Sequence, residues 1–394
     1  MKKNLGIVHV GFALTGVVTT LLGPLNPLLA GAWHLNDAQA GRLFVAQFVT
    51  CVSAAVLSGR LVARWGASRV VPLGMLLISA GLAVLGTATG VSSGMIGIAT
   101  YGVGLGFALP STNLLMSELA SDRRASALNI LNFSWTLGAV LAPVVIAAML
   151  RPFGVRGFLF LVAAIVAVIG VLEVQMFPEA PKVSFEVRNG KLVAAVRMWF
   201  AVVSLAFLFL YIGVENGFSG WVSAFTIRTE QSSLFGTAFV QSSFWAALLL
   251  GRLLAPLALK IKRPAALISY GMAIASVGIC VAIASPQIAL LEFGVLLCGF
   301  GLGPVFPTSI AVFTEWYGTR SGGSTVVLGL CGLGGAVVPW LVGVVSNRSQ
   351  SLRLGIAVTL VCVAIGAVLH WRITAATQSE PVLATRNSTL YLQS

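Results

Sequence analysis

Charge is what this sequence has least of. Only 9% of its 394 residues are Asp, Glu, Lys or Arg, while 58% are hydrophobic and the mean hydropathy is +0.97. Soluble domains carry about 25% charged residues, so a chain this poor in charge cannot cover a water-facing surface, which excludes a soluble globular protein. Histidine is nearly absent: His9, His34 and His370 sit near the ends of separate apolar stretches and cannot form a shared catalytic or metal cluster. An enzyme is therefore disfavoured, and no metal or cofactor is implied. The five cysteines, Cys51, Cys280, Cys298, Cys331 and Cys362, all fall inside apolar stretches without paired spacing, which excludes a disulfide framework and leaves them as small core residues. Long polar connections are also missing, with one exception at 178–196.

What is present is a succession of apolar stretches. The first series lies at about 5–30, 38–63, 69–89, 92–117, 125–150 and 157–177, and the second at about 197–226, 234–259, 264–284, 287–313, 322–345 and 353–372. Each has the roughly 20 residues that cross a 30 Å hydrocarbon core, where an unpaired backbone group is so costly that the crossing segment must be a helix. The expected fold is an all-α membrane protein with twelve transmembrane helices in two six-helix pseudo-repeats. The N-terminal bundle spans 1–177, the linker 178–196, the C-terminal bundle 197–374 and a disordered polar tail 375–394.

The repeat is visible in the glycines. Gly104-Leu105-Gly106 with Pro110 recurs as Gly301-Leu302-Gly303 with Pro307, and Gly138-Ala139-Val140 recurs as Gly335-Ala336-Val337. Both recurrences are displaced by 197 residues, half the chain. Six spans per half bring both halves in from the same side, so the repeat is parallel, as in secondary transporters whose site lies between the halves. Gly23, beside Pro24 and Pro27, and Gly220, near Gly213 and Gly217, are also 197 apart, which predicts an interrupted helix at matching places in spans one and seven.

The formal charge of +13 follows topology, which argues against a nucleic-acid partner. With the N-terminus in the cytoplasm, Arg42, Arg151, Arg156, Arg228, Arg348 and Arg353 fall on the far side, leaving 18 of the 24 basic residues on the cytoplasmic side. This is the positive-inside asymmetry of a multi-pass protein of a bacterial inner membrane with both termini cytoplasmic. The first stretch is too long for a signal h-region and reads as a retained helix, and the final Leu390-Tyr391-Leu392-Gln393-Ser394 reads as an expression remnant.

These features resemble the major facilitator superfamily. Gly59-Arg60-Leu61-Val62-Ala63-Arg64-Trp65-Gly66, with Arg69 beyond it, is similar to the superfamily's loop signature between spans two and three, with Ala63 where its aspartate stands. The resemblance implies that Gly59, Arg60, Arg64, Gly66 and Arg69 form a conformational loop motif. Within the superfamily the chain looks most like the fucose, galactose and glucose symporter group. Tyr211-Ile212-Gly213-Val214-Glu215 with Gly220-Trp221, Phe244-Trp245 with Gly251-Arg252-Leu253, Phe306-Pro307-Thr308, and Asn132 through Gly138 to Pro143 carry that likeness. It implies acids on the first and fourth helices of proton-coupled members, where Thr20 and Leu109 stand here.

Polar side chains inside spans mark the candidate site. Gln47, Asn113, Asn132, Asn216 and Gln241 are neutral amides that both donate and accept hydrogen bonds, as a polyhydroxylated ligand requires, although amides also join helices. Gln241, Trp245 and Arg252 share one helical face, and an indole beside amides suits a sugar ring. Trp65, Trp199, Trp316 and Trp371 lie near span ends, where tryptophan anchors the interface. Glu215 lies well inside span seven; a carboxylate there is costly unless paired, protonated or facing water, which makes it the candidate for coupling to H⁺ or Na⁺ as well as a substrate-site residue. The expected function is a monomeric secondary transporter moving a small polar solute, a monosaccharide, by alternating access. An exporter of amphipathic compounds or drugs is the alternative, and a non-transporting membrane sensor a remote one.

Overall fold

The computed structural model describes residues 5–120, 124–177, 194–230, 234–317 and 329–379. They form thirteen α-helices and one 3-10 turn: α1 (Leu5–Thr20), α2 (Leu22–Ala32), α3 (Asp37–Trp65), α4 (Ala67–Thr87), α5 (Val91–Leu119), α6 (Arg124–Met176), α7 (Ala194–Glu230), α8 (Leu234–Ala258), α9 (Pro264–Ala284), α10 (Ile288–Leu302), α11 (Val305–Tyr317), the turn Cys331–Leu333, α12 (Gly334–Ser349) and α13 (Leu352–Ser379). The linker from 178 to 193 and the tail beyond 379 lie outside the described residues. Helix α7 begins at Ala194, inside the stretch assigned to the linker, and α13 continues to Ser379, past the start assigned to the tail.

Breaks in the helices follow the prolines. Pro24 has no N–H to give the carbonyl of Thr20, and the chain bends by 42° between α1 and α2 at that point. Thr15, Thr19 and Thr20 turn their hydroxyls back onto the carbonyls of Phe12, Thr15 and Gly16, which satisfies polar groups without water. Gly303-Pro304 separates α10 from α11 in the same way. The matching break expected in span seven is not there: α7 runs unbroken from Ala194 to Glu230. Its glycines keep their N–H groups, and no proline interrupts it, so they serve close packing instead. Spans five and six merge into one 53-residue helix, roughly 80 Å of helix by its rise, interrupted where Gly154 adopts φ 63 and ψ 177. That left-handed φ is open to glycine, and it divides α6 into two arms that each cross the membrane.

Glycine contacts repeat in register. A Cβ on Gly74 would strike Gly104 O at 2.8 Å, and one on Gly271 would strike Gly301 O at 2.5 Å. Gly81 faces Gly97 O as Gly278 faces Gly294 O, Gly102 faces Gln47 O as Gly299 faces Phe244 O, and Gly106 faces Cys51 O as Gly303 faces Leu248 O. In every pair both partners are shifted by 197 residues, so helices approach backbone to backbone at the same places in each half with no insertion between them. One buried cluster fills the C-terminal half, and two fill the N-terminal half. The halves meet where α3 packs on α12, the first arm of α6 on α8, and α2 on α7.

Candidate substrate site between the two halves

Two equivalent contacts frame the midplane. Gly23 of α2 admits the amide of Gln241 from α8, whose Nε2 would lie 2.0 Å from a Cβ there; Gly220 of α7 admits the ring of Phe44 from α3, whose Cε1 would lie 2.8 Å from a Cβ. Residues 44 and 241 are again 197 apart, so the two crossings are related by the pseudo-symmetry, but one is polar and the other apolar. Gln241 is 1% exposed and its Oε1 accepts the Ser223 hydroxyl at 2.5 Å, tying α8 to α7 behind the crossing.

Below this crossing lies a charged pair. Arg252 Nη2 of α8 is 3.6 Å from Glu215 Oε2 of α7, with side chains 23% and 9% exposed. Arg252 Nη1 also donates to Thr136 Oγ1 of α6 at 3.4 Å, so one guanidinium reaches across both halves. Both contacts are long for charge-assisted bonds, which prefer 2.7–2.9 Å, and the buried Arg252 Nε has no partner. Aromatic rings close the surroundings. Trp135 of α6 meets Trp245 of α8 edge to face at 6.0 Å across the interface, Trp245 meets Phe244 at 5.3 Å, and Tyr211 stacks on Phe306 at 5.5 Å. The indole N–H groups of Trp135 and Trp245 and the Oδ1 of Asn26 are buried without a partner. Tyr211 donates instead to Leu302 O at 3.0 Å, filling a carbonyl at the break between α10 and α11.

The sequence-predicted residues divide into two groups. Glu215, Gln241 and Trp245 converge on the interface. Asn132 is exposed and stands one turn before Thr136, whose hydroxyl bonds its carbonyl, while its own Nδ2 donates to Leu128 O. Gln47 is spent inside the N-terminal half, donating to Thr19 O at 2.9 Å and accepting the Tyr101 hydroxyl at 2.8 Å. Asn113 and Asn216 each donate to the carbonyl four residues earlier on their own helices.

Arg252, Trp135, Thr136, Tyr211 and Ser223 complete the constellation and stood outside the predicted set. Arg252 is one of the 18 basic residues that charge topology assigns to the cytoplasmic side; its pairing with Glu215 sets it inside the protein. The helical face it shares with Gln241 and Trp245 was the available signal. Glu173 is a second buried acid, 2% exposed and packed against Gly11 near the end of α6, so Glu215 does not stand alone.

The two ends of the interface differ. On the side away from the linker, Asp37 at the start of α3 takes both Arg228 Nη1 (2.7 Å) and Nη2 (2.5 Å) from the end of α7, and the Ser346 hydroxyl (2.5 Å) from the end of α12. The start of α3 is itself fixed by an Asn36–Gln39 capping box. On the linker side, Gly59, Arg60, Arg64 and Arg69 are exposed, and these arginines make no ion pair among the described residues. Gly66 is the one-residue turn from α3 to α4, with φ 85.

A family model described as Major Facilitator Superfamily matches residues 8–326. A candidate niacin/nicotinamide transporter, NiaP, of Bacillus subtilis (strain 168) is 26% identical over 388 residues, covering 92% of this chain and 93% of that protein. A gentisate transporter of Corynebacterium glutamicum is 24% identical over 410 residues, covering 93% of this chain and 88% of that protein. The crystal structure of a D-xylose-proton symporter superposes with a TM-score of 0.76 at 14% identity, covering 94% of this chain and 97% of that one, which establishes the fold alone.

Proposed function

The chain belongs to the Major Facilitator Superfamily, a transporter family rather than an enzyme class, and from that premise we propose that it carries a small aromatic monocarboxylate between its halves by alternating access. The observation that carries this reading is Arg252, a cation between the halves whose contacts to Glu215 and Thr136 are loose and whose Nε is unpartnered. A substrate carboxylate offers a guanidinium two short parallel bonds, better than the 3.6 Å approach to Glu215. Trp135 and Trp245 supply ring faces and two indole donors for an aromatic body with polar substituents. One relative is named for niacin and nicotinamide and the other for gentisate; niacin and gentisate are small aromatic acids.

The same geometry supports coupling to a proton. When the substrate anion takes Arg252, Glu215 loses its counter-charge in a buried place, and protonation is the cheapest way to relieve it. One substrate anion and one proton then cross together. Opening the side away from the linker requires Arg228 and Ser346 to leave Asp37; opening the linker side leaves that latch closed, as here. With the basic linker side in the cytoplasm of a bacterial inner membrane, the Asp37 latch lies on the opposite, periplasmic side.

A monosaccharide is the second reading, supported by Gln241 with Ser223 beside the Trp245 ring. Uptake into proteoliposomes separates the two. Nicotinate and gentisate should accumulate, driven by a proton gradient, and hexoses should neither accumulate nor compete. Hexose accumulation without carboxylate transport would reverse the order of the readings.

A further inference from the structure

Away from the interface, α9 and α13 leave a cleft of about 440 Å³ on the outer face of the C-terminal half. It exists because the facing residues are small: Ala266 and Ala273 on α9, Ala364 and Ala367 on α13, over a floor that includes Met272 and Val363. Ser269, Ala273, Ala364 and Ala367 are exposed, so the cleft opens toward lipid rather than toward the substrate path. His370 Nε2 lies 2.9 Å from Ala265 O and joins the two helices at the linker-side end.

That end is basic and aromatic. Arg263 and Trp371 line it, Lys262 sits 5.8 Å over the Tyr270 ring, and Arg372 sits 5.7 Å over the Trp371 ring. Neither the segment from Leu253 to Leu291 nor that from Leu352 to Ser379 contains an acid, so Lys260, Lys262, Arg263 and Arg372 have no counter-charge within their own segments. Arg263 is the N-cap of α9 and makes no side-chain cap hydrogen bond, so the first-turn N–H groups of Ala265 and Ala266 lie at the same helix end as its charge. Exposed Tyr270 and Trp371 sit where amphipathic rings mark the headgroup level.

We propose that this cleft binds one anionic phospholipid of the linker-side leaflet, its phosphate held by Arg263 with the α9 N-terminus and one acyl chain lying along the alanine-walled channel. Charge complementarity selects an anionic headgroup, and the apolar channel selects a lipid over a free anion. The site is independent of the transported solute.

The test uses the purified full chain in detergent, with phosphatidylglycerol, phosphatidylcholine of the same acyl chains, and inorganic phosphate as probes. Native mass spectrometry and thermal unfolding are read together. Phosphatidylglycerol should be retained and raise the unfolding temperature, whereas the other two should do neither. Arg263→Gln should weaken phosphatidylglycerol retention about fivefold, the effect of one basic residue at a lipid surface. Ala367→Trp should reduce it by filling the channel; if that variant does not fold, Arg263→Gln decides alone. Equal retention of phosphatidylglycerol and phosphatidylcholine, equal stabilisation by phosphate, or wild-type retention in Arg263→Gln would each overturn the proposal.

Discussion

The two halves solve the same packing problem and then diverge at the positions that face each other. At the crossing, Phe44 in the N-terminal half stands where Gln241 stands in the C-terminal half, and the counterparts of Glu215 and Arg252 at the 197-residue displacement are Val18 and Ala55. The glycine contacts that set the helices together are kept in both. Backbone packing at these glycine contacts is thus symmetric, although the break at Pro24 has no counterpart in α7 and that at Gly303-Pro304 has none in α5, while the polar chemistry is concentrated on α7 and α8, with Trp135 and Thr136 of α6 answering from the other side. Under the proposed alternating access, symmetric packing with asymmetric chemistry would let one half move as a body around a site carried mainly by its partner.

Removing the charge from one half should distinguish the two halves most sharply. Arg252→Gln should lower carboxylate uptake by roughly tenfold to a hundredfold, because it removes the charged donor of the anion, worth about 1.5–3 kcal/mol. Ala55→Ser, at the counterpart position, should leave uptake within about twofold, as a small change away from the named interactions does. Radiolabelled uptake in proteoliposomes compares the two directly.

A smaller effect tests the ends of the interface. Asp37→Asn weakens a latch that exists on the side away from the linker and that no ion pair matches on the other side among the described residues. It should shift the conformational equilibrium by about 1–2 kcal/mol, five- to thirtyfold, toward opening on that side. A Phe44→Cys reporter in a cysteine-free background should react correspondingly faster with an impermeant thiol reagent. An unchanged rate would mean that the latch contributes nothing to closure.

Gln241→Leu makes the polar crossing resemble its apolar counterpart and leaves Ser223 without its acceptor. Affinity should fall about tenfold, consistent with about 1–3 kcal/mol for an orphaned buried hydroxyl, while the fold is kept. The smallest effect compares the glycines. Gly220→Ala presses on the Phe44 ring and should lower the unfolding temperature, by an amount near the low end of the roughly 1–3 kcal/mol for overpacking. Gly23→Ala meets only the movable end of Gln241 and should be closer to wild type.

Much of this fold was legible because hydrophobic length and glycine spacing are local. The twelve stretches, the common displacement and the break at Pro24 all follow from single segments read alone. The unbroken α7 was misread because clustered glycines loosen a helix without removing a hydrogen bond, and whether they kink or pack depends on the neighbours: Val338, Thr359 and Phe44 decide it here. The proposed site was legible in part. Glu215 stood out by depth, and Gln241 with Trp245 by their shared face. Arg252 did not, because a cation near a span end looks like a surface residue until α7 brings a carboxylate beside it. Gln47 looked like a ligand-binding amide, yet Thr19 and Tyr101, from two other helices, hold both of its ends.

In the proposed mechanism, substrate and Glu215 compete for Arg252, so that binding an anion drives a proton onto Glu215. Calorimetric titration of nicotinate or gentisate into the purified protein near neutral pH, repeated in buffers of different ionisation enthalpy, counts the protons exchanged on binding. The wild type should take up about one proton per bound anion under this linkage, and Glu215→Gln should bind the same anion with none. Anion binding without proton uptake in the wild type, or undiminished uptake in Glu215→Gln, would contradict the account.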